Sequence, residues 1–207
     1  GNMGGAMARA ARRALSGQEV LLANRTPAKA EALARELDCR TGDNAAVAQE
    51  ADYIFLGVKP QMMAEMLAGI APVLAQRKNR FILVSMAAGL TISRLQELAG
   101  GNYPVMRILP NTPAAIGAGM VFYTMGPDIS DAEARDFLLV NTLGVKRVAR
   151  ALDHFLYILA RGVERVVKSL AFVFKHRAAL GISPGSGGHG APDKLRKSAL
   201  IVVLRDD

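Results

Sequence analysis

Gly1-Asn2-Met3-Gly4-Gly5-Ala6-Met7 is the stretch whose reading decides the fold of this chain. It is glycine-rich and runs straight into a segment of Ala and Arg, Ala6 to Leu15, that reads as a helix. Glycine lets a backbone come close to a pyrophosphate, and the first-turn N–H groups of the helix behind it point at the phosphate oxygens. The spacing fits the second half of a G-x-G-x-x-G turn, with Gly1 as the second glycine and Gly4 as the third. On this reading the short apolar strand and the first glycine that normally precede such a turn are expected to be missing. A parallel sheet without that central strand would leave two neighbours with unpaired backbone groups and an open apolar face. A half-fingerprint does not establish a nucleotide site alone; the strand ends further along the chain have to supply the rest of it.

From this turn to about Gly144 the sequence alternates short apolar runs with amphipathic stretches, the pattern of a parallel α/β sheet. Strands are predicted at Val20–Ala23, Cys39–Thr41, Tyr53–Val58, Phe81–Ser85, Pro104–Leu109 and Met120–Tyr123. Thr26 is a candidate N-cap, with Pro27 in the first helical position of a helix running to Leu37. Further helices are predicted at Asn44–Glu50, at Gln61–Leu74 with a break near Gly69 or Pro72, and at Thr91–Leu98 closed by Gly100-Gly101. Ser130-Asp131-Ala132-Glu133 has the form of a capping box, opening a helix to about Leu143. Beyond Gly144, Leu152 to Phe174 reads as one long amphipathic helix, Ser183 to Gly190 as a flexible linker, and Ala199 to Leu204 as a final strand-like run. The expected architecture is thus a Rossmann-like doubly wound parallel sheet missing its first strand, in residues 1–144, followed by a short, mainly helical segment, 145–207.

Charge divides the chain at the same point. Up to residue 144 there are 14 Lys or Arg against 13 Asp or Glu, whereas the remaining 12 basic and 5 acidic residues give the last part most of the net charge of +8. Hydrophobic residues make up 51% of the chain, so it is globular. Its apolar runs are far short of the ~20 residues a membrane span needs. The single cysteine, Cys39, rules out an internal disulfide and fits a reducing cytoplasm. His154, His176 and His189 are scattered without Cys partners, so no metal site is expected. The basic tail by itself reads as a solvated helix face, and binding to nucleic acid or to a membrane is not expected.

In a doubly wound sheet ligands sit beyond the carboxyl ends of the strands. After the Val20 strand comes Asn24-Arg25-Thr26, which has no acid for ribose hydroxyls but offers donors to a 2′-phosphate; this favours NADP over NAD. Lys59-Pro60 closes the next strand of the set with a cation and a rigid turn. Ser85-Met86-Ala87-Ala88-Gly89 adds small residues that let a flat ring approach the backbone, and two prolines fix a polar loop at Asn111-Thr112.

This ordered set resembles pyrroline-5-carboxylate reductase, the NADPH enzyme that ends proline synthesis. The resemblance is carried by Gly1–Gly4, Asn24–Thr26, Val58–Pro60, Ser85–Gly89 and Pro110–Pro113, in family order and with family-like separations. It implies that Asn2, Met3, Arg25, Thr26, Asn44, Val58, Lys59, Pro60, Met86, Ala87 and Ala88 line an NADP(H) cofactor, with Asn111 and Thr112 near its nicotinamide end. The substrate it implies is a cyclic imine carboxylate, the reaction a hydride transfer without a metal, and the assembly a homo-oligomer interlocked by a helical domain. That domain begins in the family with a Ser-Gly-Ser-Gly-Pro-Ala-Tyr motif, which is absent here; Pro184-Gly185-Ser186-Gly187-Gly188 is similar only in composition. No catalytic acid or base stands out in residues 1–144. Two rival readings stand beside it: a cofactor-binding remnant without turnover, and another NADP oxidoreductase of the same fold with a catalytic lysine such as Lys168 or Lys175.

Overall fold

The computed structural model describes residues 2–111, 116, 119–134, 137, 145–150 and 200–204. In chain order these form α1 (Asn2–Arg12), β1 (Val20–Asn24), α2 (Pro27–Leu37), β2 (Arg40–Thr41), α3 (Asn44–Glu50), β3 (Tyr53–Gly57) and α4 (Met63–Gln76). They continue with β4 (Ile82–Ser85), α5 (Ile92–Ala99), β5 (Val105–Pro110), β6 (Gly119–Met125), β7 (Val145–Arg150) and β8 (Leu200–Leu204). The predicted long helix and the Ser183–Gly190 linker lie outside the described residues.

All eight strands join one sheet in the order β2-β1-β8-β3-β4-β5-β6-β7. Alternate residues of β1, β3, β4 and β5 enter opposite layers, as the two-residue period of a strand requires. Val20, Leu22, Phe55, Val84 and Met106 pack on one face with Met7 and Ala11 of α1 and Ala30 and Leu33 of α2. Leu21, Ala23, Ile54, Leu56 and Leu83 pack on the other with α3, α4 and α5, through Val47, Leu67, Ile70 and Leu95. Both faces are therefore covered, which is why the central strands read as continuous apolar runs.

The slot beside β1 that was expected to be empty is filled. β8 lies there, parallel to both neighbours, with Leu200–Leu204 paired to Val20–Asn24 on one side and to Tyr53–Gly57 on the other. The run Leu200-Ile201-Val202-Val203-Leu204 has the β-branched and leucine composition that a strand buried in a parallel sheet needs. The sheet thus draws β7 and β8 from beyond residue 144, where the sequence suggests mainly helix.

Four further expectations change. First, α1 begins at Asn2 and not at Ala6, because Gly4 and Gly5 are buried and packing overrides their poor helix propensity. Second, α4 runs unbroken through Gly69 and Pro72, both exposed, while Leu67, Ile70 and Leu74 anchor it on the sheet side. Third, Thr26 occupies the N-cap position of α2 but makes no side-chain capping bond. Fourth, β6 runs antiparallel to β5, so the sheet is mixed and not all parallel. The predicted capping box is present: Ser130 Oγ accepts from the Glu133 N–H at 3.2 Å, and Glu133 accepts from the Ser130 N–H at 2.9 Å. Gly100 closes α5 with φ of 77°, a left-handed position that glycine suits.

Close contacts at two places fix the frame. Gly17 sits so close to the end of α2 that a Cβ there would lie 1.6 Å from the Asp38 carbonyl oxygen. Arg80, at the entry to β4, grips the Glu133 carboxylate and the Asp128 carbonyl, and Tyr53 Oη donates to the Glu133 carbonyl at 3.0 Å. Phe137 stacks on Phe55 with ring centroids 6.0 Å apart, fastening the same segment to β3.

Gly17→Ala is expected to lower the unfolding free energy by about 1–3 kcal/mol, the usual cost of overpacking, read from urea melts. The Arg80 hydrogen bond, helped by those from Ser130, holds the Glu133 carboxyl at about 2 against an ordinary 4.5. A depressed carboxyl stabilises the fold above its unfolded value and loses that contribution as pH falls through the folded one. The stability gap between the parent and Glu133→Gln should therefore be constant above pH 4.5 and close as pH falls to about 2, measured by melts across that range.

Candidate functional site at the carboxyl edge of the sheet

The parallel register aligns the ends of the central strands. Leu204 pairs with both Asn24 and Gly57, and Leu56 pairs with Ser85, so β1, β8, β3 and β4 finish along one edge. Arg9 is ion-paired with Glu36 at 2.7 Å and Arg12 donates to the Leu37 carbonyl at 2.8 Å, which ties the end of α1 to the end of α2. Since α2 starts directly after β1, both helices have their amino ends at the carboxyl edge. The first-turn N–H groups of α1, those of Asn2, Met3 and Gly4 among them, have no partner within the helix, so that end favours an anion.

Each loop along the edge is shaped by a short-range contact. Asn24 Oδ1 accepts from the Thr26 N–H at 2.9 Å, folding Asn24-Arg25-Thr26 into a tight turn that leaves Arg25 exposed. Asn24 therefore shapes the turn with its own side chain. Asp43 caps α3 by accepting from the Ala46 N–H at 2.7 Å, which sets Asn44 at that helix's first position. After β3, Val58 is buried while Lys59 and Pro60 are exposed at the start of a 3₁₀ turn, Pro60–Met62. After β4, Ser85 Oγ accepts from the Ala87 N–H at 3.2 Å, and Gly89 takes φ of 75°, so the Ser85–Gly89 loop turns back sharply above the edge. Ala87 is buried and Ala88 exposed, presenting little more than backbone there.

β5 rises above its neighbours. Its Arg107 is level with Ser85, and Ile108, Leu109 and Pro110 continue upward paired only with β6, at Tyr123, Phe122 and Val121. Three residues of strand make a wall about 10 Å high at this end of the edge, with Asn111 exposed at its top.

The structure thus brings Asn2, Met3, Gly4, Asn24, Arg25, Thr26, Asn44, Val58, Lys59, Pro60, Met86, Ala87, Ala88 and Asn111 to one edge. Gly1 and Thr112 lie outside the described residues. Two contributors were not singled out from the sequence. One is β8. The other is a row of buried polar residues in register across three strands: Ser85, Arg107 and Thr124, at 1%, 3% and 6% exposure. The charge of Arg107 between Met106 and Ile108, inside an otherwise apolar strand, was the signal available.

The opposite edge carries different chemistry. Arg77 donates to the Ala48 carbonyl at 2.9 Å and also to that of Ala51, closing the end of α3, and its guanidinium lies 4.7 Å from the Phe81 ring centroid. Burial pushes the Asp52 carboxyl up and the Arg77 guanidinium down, each partly offset by the other's charge. A shallow hollow of about 220 Å³ beside it is lined by Gln49, Val73, Gln76, Arg77, Lys78 and Asn79. It faces away from the strand ends and belongs to none of the candidate loops. Among the described residues no cluster of His, Cys, Asp or Glu could hold a metal ion, and no helix is long and apolar enough to cross a membrane.

A dinucleotide phosphate fits the edge on three observations: the amino end of α1, the acid-free Asn24–Thr26 turn, and the small-residue loop at Ala87–Gly89. The comparisons agree with this geometry. The family described as NADP oxidoreductase, coenzyme F420-dependent, matches residues 1–89. The chain is 40% identical over 104 residues to the pyrroline-5-carboxylate reductase of Corynebacterium melassecola, covering 49% of this chain and 38% of that protein. It is 34% identical over 114 residues to the enzyme of that name from Escherichia coli K12, covering 55% of this chain and 41% of the relative. The chain therefore matches well under half the length of these curated relatives. Among solved structures, the pyrroline-5-carboxylate reductase of Coxiella burnetii superposes with a TM-score of 0.66 at 20% identity, covering 87% of this chain and 70% of the other. The Plasmodium falciparum pyrroline carboxylate reductase with NADP bound gives 0.65 at 19%, covering 89% and 68%. The fold is that of these Rossmann-type proteins, and about half of the chain is similar in sequence to pyrroline-5-carboxylate reductases.

The Ser85–Gly89 loop can be taken apart in two ways. Ser85→Ala removes the acceptor of the Ala87 N–H, whereas Gly89→Ala strains φ in open space, with no heavy atom within 4 Å of the new Cβ. Losses of about 1–3 kcal/mol for the first and about 1–2 kcal/mol for the second are expected from chemical denaturation.

Proposed function

We propose that the carboxyl edge binds NADP(H) and that this chain contributes the cofactor half of a pyrroline-5-carboxylate reductase, which reduces the C=N bond of 1-pyrroline-5-carboxylate to give L-proline. The observation that carries the reading is the single line on which the β1, β3, β4 and β5 loops meet the amino end of α1. Sequence similarity to the named relatives over about half of the chain supports it. Gly1, Asn2, Met3 and Gly4 take the pyrophosphate on backbone N–H groups. Arg25 and Thr26 take the 2′-phosphate, on a turn that Asn24 folds. Asn44, Val58, Lys59 and Pro60 line the middle, while Met86, Ala87, Ala88, Asn111 and Thr112 sit towards the nicotinamide.

NADPH, when bound, supplies the hydride that adds to the imine carbon. A protonated cyclic imine is already electrophilic, so the protein's task is to hold the ring flat against the cofactor and keep water out. The wall of β5 and β6 and the small side chains at Ala87 and Ala88 suit that task. No catalytic acid or base is assigned. Residues 1–144 carry the site in this reading, in a soluble cytoplasmic protein whose substrate contacts and homo-oligomeric assembly belong to a helical part of the kind the family resemblance implies. A second reading, cofactor binding without turnover, is favoured by one observation: the match covers only 38% and 41% of the two relatives.

Titration calorimetry of the chain with NADPH and NADH tests the cofactor. NADPH is expected to bind more tightly, and Arg25→Ala should remove about 1–3 kcal/mol of that preference, the scale of a charge-assisted contact. Equal affinities in the parent would overturn the proposal. NADPH oxidation at saturating 1-pyrroline-5-carboxylate then separates the two readings, turnover supporting reductase activity and binding alone the second.

A further inference from the structure

Among the described residues β1 hydrogen-bonds to β2 and β8 only, and β3 to β4 and β8 only. Among the described residues, β8 is the one strand that joins the β2-β1 pair to the rest of the sheet. The division falls across the candidate site. Asn24, Arg25 and Thr26 stand on the β1 side, whereas Lys59, Pro60 and the Ser85–Gly89 loop stand on the other. α1 and the two apolar layers lie across the division, but side-chain packing has no fixed register of its own; a ladder of paired peptides does.

We propose that β8 acts as the register-setting joint of the cofactor site: its insertion fixes the two halves of the binding line relative to each other, and loosening it uncouples them. The inference rests on the NADP(H) reading of the site. β8 is also the strand whose docking closes the longest span of chain, since residues 151–199 separate it from β7. A ligand that touches both halves exploits the joint, because contacts on one half raise the effective concentration of the ligand at the other. A ligand that touches one half gains nothing from it.

Two measurements test this on the full chain. In the first, Ala23→Cys is combined with Val203→Cys in a Cys39→Ser background; Ala23 and Val203 are directly paired. Neighbouring strands lie about 4.8 Å apart, within disulfide reach, whereas Ala23→Cys with Ile201→Cys is staggered by two residues, about 8 Å, and out of reach. Oxidation should give an intrachain bond in the first pair and none in the second. A disulfide-linked dimer, or no bond in the first pair, would overturn the inference, the dimer by showing that a second copy supplies the strand. This readout needs no cofactor.

In the second, Val202→Gly softens the ladder at its middle pair without adding bulk. Affinity is measured for NADPH and for adenosine 2′,5′-bisphosphate, whose 2′-phosphate falls to the β1 half and which lacks the nicotinamide end that reaches the β3 and β4 loops. The bisphosphate should bind within about twofold of the parent while NADPH weakens about tenfold, since only the linked ligand draws on the joint. Equal weakening of both ligands, or of neither, would refute the role of β8. Failure of the parent to bind NADPH would instead refute the reading of the site, and the cross-link would still report on the joint.

Discussion

A peptide group taken into the middle of a sheet must find a partner on each side, because water cannot reach it there. The rest of this structure depends on that condition being met between β1 and β3. Those strands carry N–H and C=O groups facing one gap, and both layers of core side chains close over it. A loop in the gap would strand backbone groups, and an empty gap would strand two ladders. Only a parallel strand of about five residues answers both faces at once, and Leu200–Leu204 does so with five pairs on each. The covering of α1, the common level of the strand ends and the separation of the two core layers all presuppose it.

Much of the fold was legible because it is written in local chemistry. The strand at Val20, the helix after Pro27, the glycine stop at Gly100 and the box at Ser130–Glu133 each arise from a few adjacent residues. The partner of the central gap was not legible, since no periodicity says which apolar run pairs with which. The final run read as a strand, but its place is a fact about residues about 180 positions away. The reversal of β6 was hidden for the same reason. Pro72 misled in the other direction: a local breaker signal lost to the burial of Leu67, Ile70 and Leu74 around it.

The candidate site divides along similar lines. Glycines, small residues and the acid-free turn could be read as loop chemistry, because each loop is set by contacts within two or three residues, such as Asn24 with Thr26 and Ser85 with Ala87. The buried row of Ser85, Arg107 and Thr124 could not, because it exists only once three strands are in register. Arg107 brings a strongly polar side chain into that row, level with Ser85 at the foot of the Ser85–Gly89 loop. Burying a polar group is costly, and a fold that retains one there gives that end of the edge a polar character.

The antiparallel turn of the chain at β6 also gives the edge a length. Carboxyl ends line up from β1 through β8, β3 and β4 to β5, and there the direction reverses. Four strand spacings separate β1 from β5, which makes the usable line about 19 Å long. It is bounded at one end by the short β2 and at the other by the overhanging wall of β5 and β6. The sheet is in this sense a ruler graduated in strands. A molecule laid along it is measured in steps of one strand, and one of those steps is contributed by β8.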